Sequence, residues 1–112
     1  MAFDLLAMTF GELYPTYLQK IERKGRKESE LQEVLAWLFA MPRDELASLN
    51  DASLGEIFST RELNEAADKI TGSVCGVKVH LIEDPVMRGI RYADKLVDEL
   101  AKGKAVEKIK RD

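Results

Sequence analysis

Apolar residues recur at three- and four-residue steps between positions 85 and 102, which is the spacing of one face of an α-helix. Asp84 precedes this segment and can cap it, and Pro85 suits the first helical position because no N–H donor is needed there. The pattern therefore predicts a helix over 85–102. Gly89 lies at the edge of its apolar face, where we expect another backbone to approach closely. The apolar face, which we expect to organise the core, consists of Val86, Ile90, Ala93, Val97 and Leu100.

A second amphipathic helix is predicted over 10–24. Thr9 and Glu12 form a capping-box pattern at its start. Pro15 interrupts the helical run but points away from the apolar side, so we expect a helix that is kinked or restarted there. The apolar side consists of Phe10, Leu13, Tyr14, Tyr17, Leu18 and Ile21.

A third helix is predicted over 29–40, where Ser29 and Gln32 form another capping-box pattern. Trp37 and Phe39 extend its apolar surface beyond one face. Such a surface is typical of a central helix, or of one that uses its second face against another subunit. Trp37 and Phe39 are therefore our candidate interface residues.

Residues 53–58 repeat the pattern of residues 9–14, with a hydroxyl residue, an apolar residue, glycine, glutamate and two apolar residues in the same order. Internal duplication is one explanation. The residues after each copy do not match, so we favour two independent capping boxes. Shorter helices are predicted after Pro42, near 44–46, and after Asn64, which can cap a helix that begins at Glu65.

The segment 74–82 is ambiguous because its apolar residues fit both helical spacing and strand alternation. A lone strand cannot satisfy its backbone groups, and the only partners visible in the sequence are residues 3–8 or another subunit. We therefore predict a helix. The fold class is all-α, a compact bundle in one domain over 1–112, and the alternative adds a two-stranded element of 3–8 with 75–82.

Composition excludes several classes of protein. Charged residues make up 33% of the 112-residue chain, but the net charge of −3 provides no basic field, which argues against nucleic acid as a partner. One cysteine cannot form an internal disulfide, which fits a reducing cytoplasm. No apolar run approaches the roughly 20 residues that span a bilayer, so we predict a cytoplasmic protein without a membrane partner.

The sequence carries no recognisable catalytic set. It has no glycine-rich phosphate loop, and its single cysteine and single histidine cannot form a zinc site. Cys75 and His80 would lie about 140° apart on a helix and on opposite faces of a strand, so they do not form a nucleophilic pair. We predict no catalytic residue, no metal site and no cofactor.

The most specific motifs of the chain are Val74-Cys75-Gly76-Val77-Lys78-Val79, Ile82-Glu83-Asp84-Pro85, Ile90-Arg91-Tyr92 and residues 94–104. With these motifs in view, the chain resembles the bacterial domain-of-unknown-function family 2200 over nearly its whole length, from about Met8. His80 and Leu81 depart from it, because relatives usually carry two acids there, so His80 is a poor candidate for a shared activity. The resemblance implies a small, mainly helical, cytosolic bacterial protein. That family has no established activity, so no catalytic residue carries over.

Three hypotheses about function follow. The first is a non-enzymatic interaction module that forms a homodimer through Trp37 and Phe39. The second is a small-molecule-binding protein or enzyme, with a pocket between the 10–24 and 85–102 helices. Its candidate ligand-binding residues are Tyr14, Tyr17, Arg91 and Asp94. We expect Asp94, at the border of the apolar face of the 85–102 helix, to pair with Arg91 one turn back. The third is nucleic-acid contact through the basic residues Lys20, Arg23, Lys24, Arg26 and Lys27.

Overall fold

A computed structural model of the chain describes residues 5–70, 72–74 and 77–110. Its α-helices are α1 (Phe10–Glu22), α2 (Glu28–Phe39), α3 (Leu54–Thr60), α4 (Pro85–Ala101) and α5 (Val106–Ile109). Short 3-10 helices span Leu5–Ala7, Arg43–Leu49, Glu65–Lys69 and Val79–Leu81, and two strands, β1 (Ser73–Val74) and β2 (Val77–Lys78), form a hairpin. The prediction of a small all-α bundle is confirmed.

Helix α4 is the centre of the fold, as its sequence predicts. Asp84 Oδ1 accepts a hydrogen bond of 3.0 Å from the backbone N–H of Val86, and Pro85 occupies the first turn. The helix packs against α1, α2 and α3. Its apolar stripe, including Leu96 and Leu100, is buried between these neighbours, and burial of that stripe fixes the positions of the other helices.

The structure shows how α1 passes Pro15 and where α2 begins. Helix α1 continues through Pro15 as one element instead of restarting there, and Pro15 lies on its exposed side. Helix α2 begins at Glu28, so the predicted cap at Ser29 is wrong. Glu30 accepts a hydrogen bond of 3.1 Å from the backbone N–H of Lys27 and one of 2.6 Å from Arg26, which stabilises the earlier start.

The starts of α1 and α3 lie side by side in an antiparallel pair. Thr9 and Ser53 form a β-bridge, and each hydroxyl accepts a hydrogen bond of 3.2 Å from the N–H three residues on in its own helix. Across the bridge, the N–H of Phe10 donates to Ala52 O (3.0 Å) and the N–H of Leu54 donates to Met8 O (2.8 Å). These bonds satisfy backbone donors that a helix start otherwise leaves free.

The two glycines of the repeated motif serve this pairing. A Cβ at Gly11 would lie 2.9 Å from Asn50 O, and one at Gly55 would lie 3.2 Å from Leu6. Asn50, three positions before the cap Ser53, packs over Gly11, which lies two positions after the cap Thr9. In the same way, Leu6, three positions before Thr9, packs over Gly55, two positions after Ser53. The repeat at 9–14 and 53–58 therefore corresponds to a local two-fold arrangement, in which the cap hydroxyl and the glycine have the same role on each side.

The predicted helix over 74–82 is wrong. Ser73 pairs with Lys78 and Val74 with Val77, so β2 pairs with its sequence neighbour β1 and not with the described residues 5–8. Gly72 has φ +101°, a conformation that interrupts a helix and that favours glycine. The described part of 3–8 contains the Leu5–Ala7 3-10 helix. Cys75 lies outside the described residues.

Within the described ranges, no helix is both long enough and apolar enough to cross a membrane.

Candidate functional site

Three of the four predicted ligand-binding residues meet between α1 and α4. The Tyr17 hydroxyl donates a hydrogen bond of 2.5 Å to Asp94 Oδ1, and Arg91 Nη1 lies 3.2 Å from Asp94 Oδ2. The predicted pairing of Asp94 with Arg91 is therefore confirmed. Tyr17 is only 6% exposed, and burial, together with the negative charge of Asp94, raises its pKa well above the ordinary value. Tyr17 remains a neutral donor, and the three residues clamp α1 to α4.

One turn further along, Asp98 links the same two helices. It lies 3.5 Å from Lys20 and 3.0 Å from Lys102. Burial opposes ionisation of Asp98, but the hydrogen bond from Lys102 and the charge of Lys20 outweigh it and hold the pKa of the carboxyl below its ordinary value. Since Lys20 is engaged here and Arg26 pairs with Glu30, two of the five residues predicted to contact nucleic acid are held by acids.

Tyr14 lies apart from this clamp and contacts α2. Its hydroxyl donates a hydrogen bond of 2.7 Å to Glu28 Oε2. The pKa of Tyr14 is raised to about 12, mainly because the phenol is partly buried and also because it donates a hydrogen bond to Glu28. The four predicted residues are thus divided between two places, because Tyr14 and Tyr17 project from α1 toward different neighbouring helices.

Tyr14 forms one wall of a cavity of about 470 Å³, which we call the Tyr14 cavity. It lies between the first turns of α1, the first half of α2 and the Arg43–Leu49 helix. Its size falls within the range of small-molecule sites, and the buried residues Phe10 and Leu46 give it an apolar floor. The lining residues are Phe10, Tyr14, Glu28, Gln32, Arg43, Asp44, Leu46, Ala47 and Asn50.

Charged groups stand at the rim of the Tyr14 cavity. Glu28 and Asp44 contribute two carboxylates, and Arg43 contributes a guanidinium. In the described part of the chain, none of these three groups has an ion-pair partner. Such groups are free to pair with a ligand. The sequence offered no sign of this constellation, because its members come from three elements that only the tertiary fold brings together.

A second cavity, of about 460 Å³ and more open, lies on the other side of Arg43. We call it the Trp37 cavity. Partly exposed Trp37 and Met41 contribute apolar surface to it, and the Glu33–Lys110 ion pair (2.7 Å) also belongs to its lining. Its lining residues are Glu33, Ala36, Trp37, Ala40, Met41, Pro42, Arg43, Asn64 and Lys110.

The two predicted interface residues are separated by the fold. Phe39 is 2% exposed and packs in the core against Phe10 and Phe58, with ring centroids 5.8 and 5.5 Å apart. Two positions along a helix are about 160° apart around its axis, so Trp37 faces outward while Phe39 faces inward. A partner on this face would contact Trp37 and not Phe39.

The described residues hold no group of three or more histidine, cysteine, aspartate or glutamate side chains that could bind a metal ion. The side chain of His80, like Cys75, falls outside that part of the chain.

Replacing Tyr14 with phenylalanine is expected to remove one phenol that ionises at about pH 12. Because the folded-state pKa lies above the ordinary value of 10.0, the stability that the neutral phenol contributes is complete below pH 10.0 and is lost as the pH rises through about 12. A pH-jump titration of phenolate absorbance checks this. If the phenol that is missing from the titration of the variant is one that ionises near pH 10.0, Tyr14 is not held by Glu28.

Two comparisons with known proteins agree with this fold. A family model described as "Uncharacterized protein conserved in bacteria (DUF2200)" matches residues 4–111. Among solved structures, the crystal structure of uncharacterized protein SP1917 is similar, with a TM-score of 0.86 and 35% sequence identity over 97% of this chain and 92% of that chain. No curated protein matches the chain significantly. The similarity therefore extends over nearly the entire length of both chains.

Proposed function

The chain belongs to the bacterial DUF2200 family, and we propose that it is a binding protein for a small ligand that carries a cationic amine on an apolar stem. The observation that supports this proposal is the Tyr14 cavity, where two carboxylates without ion-pair partners stand above a buried apolar floor. An amine could pair with Glu28 or Asp44 while its stem covers Phe10 and Leu46.

The orientation of Glu28 makes it the stronger of the two acids for this role. Tyr14 holds one of its oxygens by a hydrogen bond and, with its raised pKa, remains a donor throughout the physiological pH range. The other oxygen is left for a ligand. A hydrogen bond from the ligand amine to this oriented carboxylate would contribute about 1.5–3 kcal/mol, whereas an exposed ion pair without such orientation contributes about 0–1 kcal/mol.

The homodimer predicted from sequence remains a prediction. With Phe39 in the core, it would rely on Trp37 and its neighbours Met41 and Pro42, which is a small apolar area. Stable interfaces bury about 800 Å² per partner. The Tyr14 cavity combines enclosure, apolar floor and unpaired charge, so ligand binding is the function that the geometry supports better.

A matched set of ligands tests the amine proposal: hexylamine, hexanol and hexanoate, followed by amide chemical shifts in two-dimensional NMR. We expect hexylamine to shift residues of the cavity, hexanol to bind about tenfold more weakly and hexanoate to be the weakest. Replacing Glu28 with glutamine is expected to weaken hexylamine binding about tenfold.

Glu56→Gln is the control, because Glu56 is also an exposed acid in the first turn of a helix but does not line the cavity. Equal affinities for hexylamine and hexanol, or equal losses in the Glu28 and Glu56 variants, would mean that the carboxylate does not recognise an amine.

A further inference from the structure

We propose that the amine is the side chain of a lysine at the carboxyl end of a peptide, and that the residue before it is apolar. This inference rests on the proposed function, which it narrows from amines in general to one class of peptide. Three features carry it: the junction of the two cavities, the unpaired guanidinium at that junction and the different chemistry on its two sides.

The Tyr14 and Trp37 cavities meet at one residue. Arg43 lines both of them. Consecutive residues of α2 also divide between the cavities, since Gln32 lines the first and Glu33 the second. A ligand that reaches past Arg43 therefore passes from one cavity directly into the other, across the outer surface of α2.

Arg43 is suited to hold a carboxylate at this junction. It is exposed, and no acid within the described residues pairs with it. A guanidinium binds a carboxylate through two parallel hydrogen bonds, which fixes the orientation of the bound group as well as its position. A carboxylate bound here has a cavity on either side, so its carrier is expected to have groups that project in both directions.

The end of an extended peptide has this shape. Successive side chains of an extended chain point to opposite sides, so a terminal carboxylate on Arg43 would send the last side chain into one cavity and the preceding one into the other. The Tyr14 cavity is the more enclosed and suits the last residue, after which the chain does not continue. The rest of the peptide then leaves across the open Trp37 cavity.

The charges select the two side chains. The Tyr14 cavity presents Glu28 and Asp44 above an apolar floor, which matches the aliphatic stem and ammonium group of lysine. In the Trp37 cavity, Trp37 and Met41 offer apolar surface, while Glu33 and Lys110 neutralise each other. That side therefore suits an apolar residue such as leucine.

The test compares acetyl-Leu-Lys with a free carboxyl end, the same peptide with an amidated end, acetyl-Gly-Lys and hexylamine, by calorimetry and by Trp37 fluorescence. Trp37 is the only tryptophan in the chain, so its emission reports occupancy of the second cavity. We expect acetyl-Leu-Lys to shift that emission and to bind on the order of tenfold more tightly than its amide or acetyl-Gly-Lys. Hexylamine should leave the emission unchanged.

Replacing Arg43 with glutamine is expected to abolish the advantage of the free carboxyl end, so that acetyl-Leu-Lys and its amide bind equally well. Arg61→Gln is the control, since Arg61 is also exposed but lines neither cavity. On the unmodified protein, the comparison of acetyl-Leu-Lys with its amide tests the same contact between Arg43 and the carboxylate.

The outcomes separate this inference from the proposed function. If hexylamine binds but acetyl-Leu-Lys binds no better than its amide, or does not alter Trp37 emission, the peptide inference is overturned and the amine proposal stands. If Trp37 emission changes with protein concentration and no peptide affects it, a second copy of the chain covers this face and the inference fails. If neither hexylamine nor peptide binds, both proposals fail.

Discussion

Replacing Gly89 with alanine is expected to lower the free energy of unfolding by about 1 kcal/mol, although alanine is the better helix former. A Cβ at this position would lie 2.5 Å from Phe58 Cδ1. Phe58 is 8% exposed and packs on Phe39, so its ring has little space to move. Overpacking costs about 1–3 kcal/mol, which outweighs the gain of about 1 kcal/mol in helix propensity. Chemical denaturation measures the difference.

A double-mutant cycle with Phe58→Leu identifies the cause. If the ring is the obstacle, the Gly89→Ala substitution should cost clearly less, or should stabilise, in the Phe58→Leu background. An equal cost in both backgrounds would place the strain elsewhere. The close contact also corrects the sequence expectation, because the group that approaches Gly89 is an aromatic ring from α3 and not a backbone.

Features that depend on a few neighbouring residues could be predicted from the sequence. The cap at Asp84 and the capping box at Thr9 involve bonds within one turn of helix, and both are present. The pairing of Asp94 with Arg91 is likewise local. The failure at Ser29 has a local cause as well, since Glu30 accepts hydrogen bonds from the two residues that precede α2, and the sequence pattern gave no way to rank that arrangement against the Ser29 cap.

The hairpin at 73–78 could not be predicted from apolar periodicity. Its strands have two residues each, which is too short for alternation to be distinguished from helical spacing. Gly72, just before β1, has a positive φ, and its carbonyl accepts a hydrogen bond of 3.0 Å from Val79 N–H at the open end of the hairpin. The glycine was visible in the sequence, but its conformation was not.

The candidate site was beyond sequence reasoning for a different reason. The sequence indicates Tyr14 as a candidate, but its polar partner Glu28 lies on α2, where an exposed acid in the first turn is ordinary. Arg43 and Asp44 belong to a short helix that the sequence predicts only roughly. Their convergence depends on how α1, α2 and the Arg43–Leu49 helix pack, and packing angles are not written in the spacing of apolar residues.

Replacing Asp94 with alanine is expected to lower the free energy of unfolding by about 3 kcal/mol. The substitution leaves the buried hydroxyl of Tyr17 without its acceptor, and a buried polar group deprived of its partner costs about 1–3 kcal/mol, more when the lost partner is charged. For a domain of this size the loss corresponds to a decrease in Tm of about 10 °C, which calorimetry measures.

Asp98→Ala is the matched control for this prediction. Asp98 lies one turn further along α4 and also contacts α1, but its partners Lys20 and Lys102 are exposed, and exposed ion pairs contribute about 0–1 kcal/mol. If both variants lose the same stability, the Tyr17 hydrogen bond is not the cause. Adding Tyr17→Phe to Asp94→Ala removes the unsatisfied hydroxyl and should restore part of the loss, because the penalty belongs to the orphaned hydroxyl and not to the missing carboxylate. The clamp between α1 and α4 would then be needed because the fold buries the Tyr17 hydroxyl, and Asp94 is the acceptor that satisfies this hydroxyl.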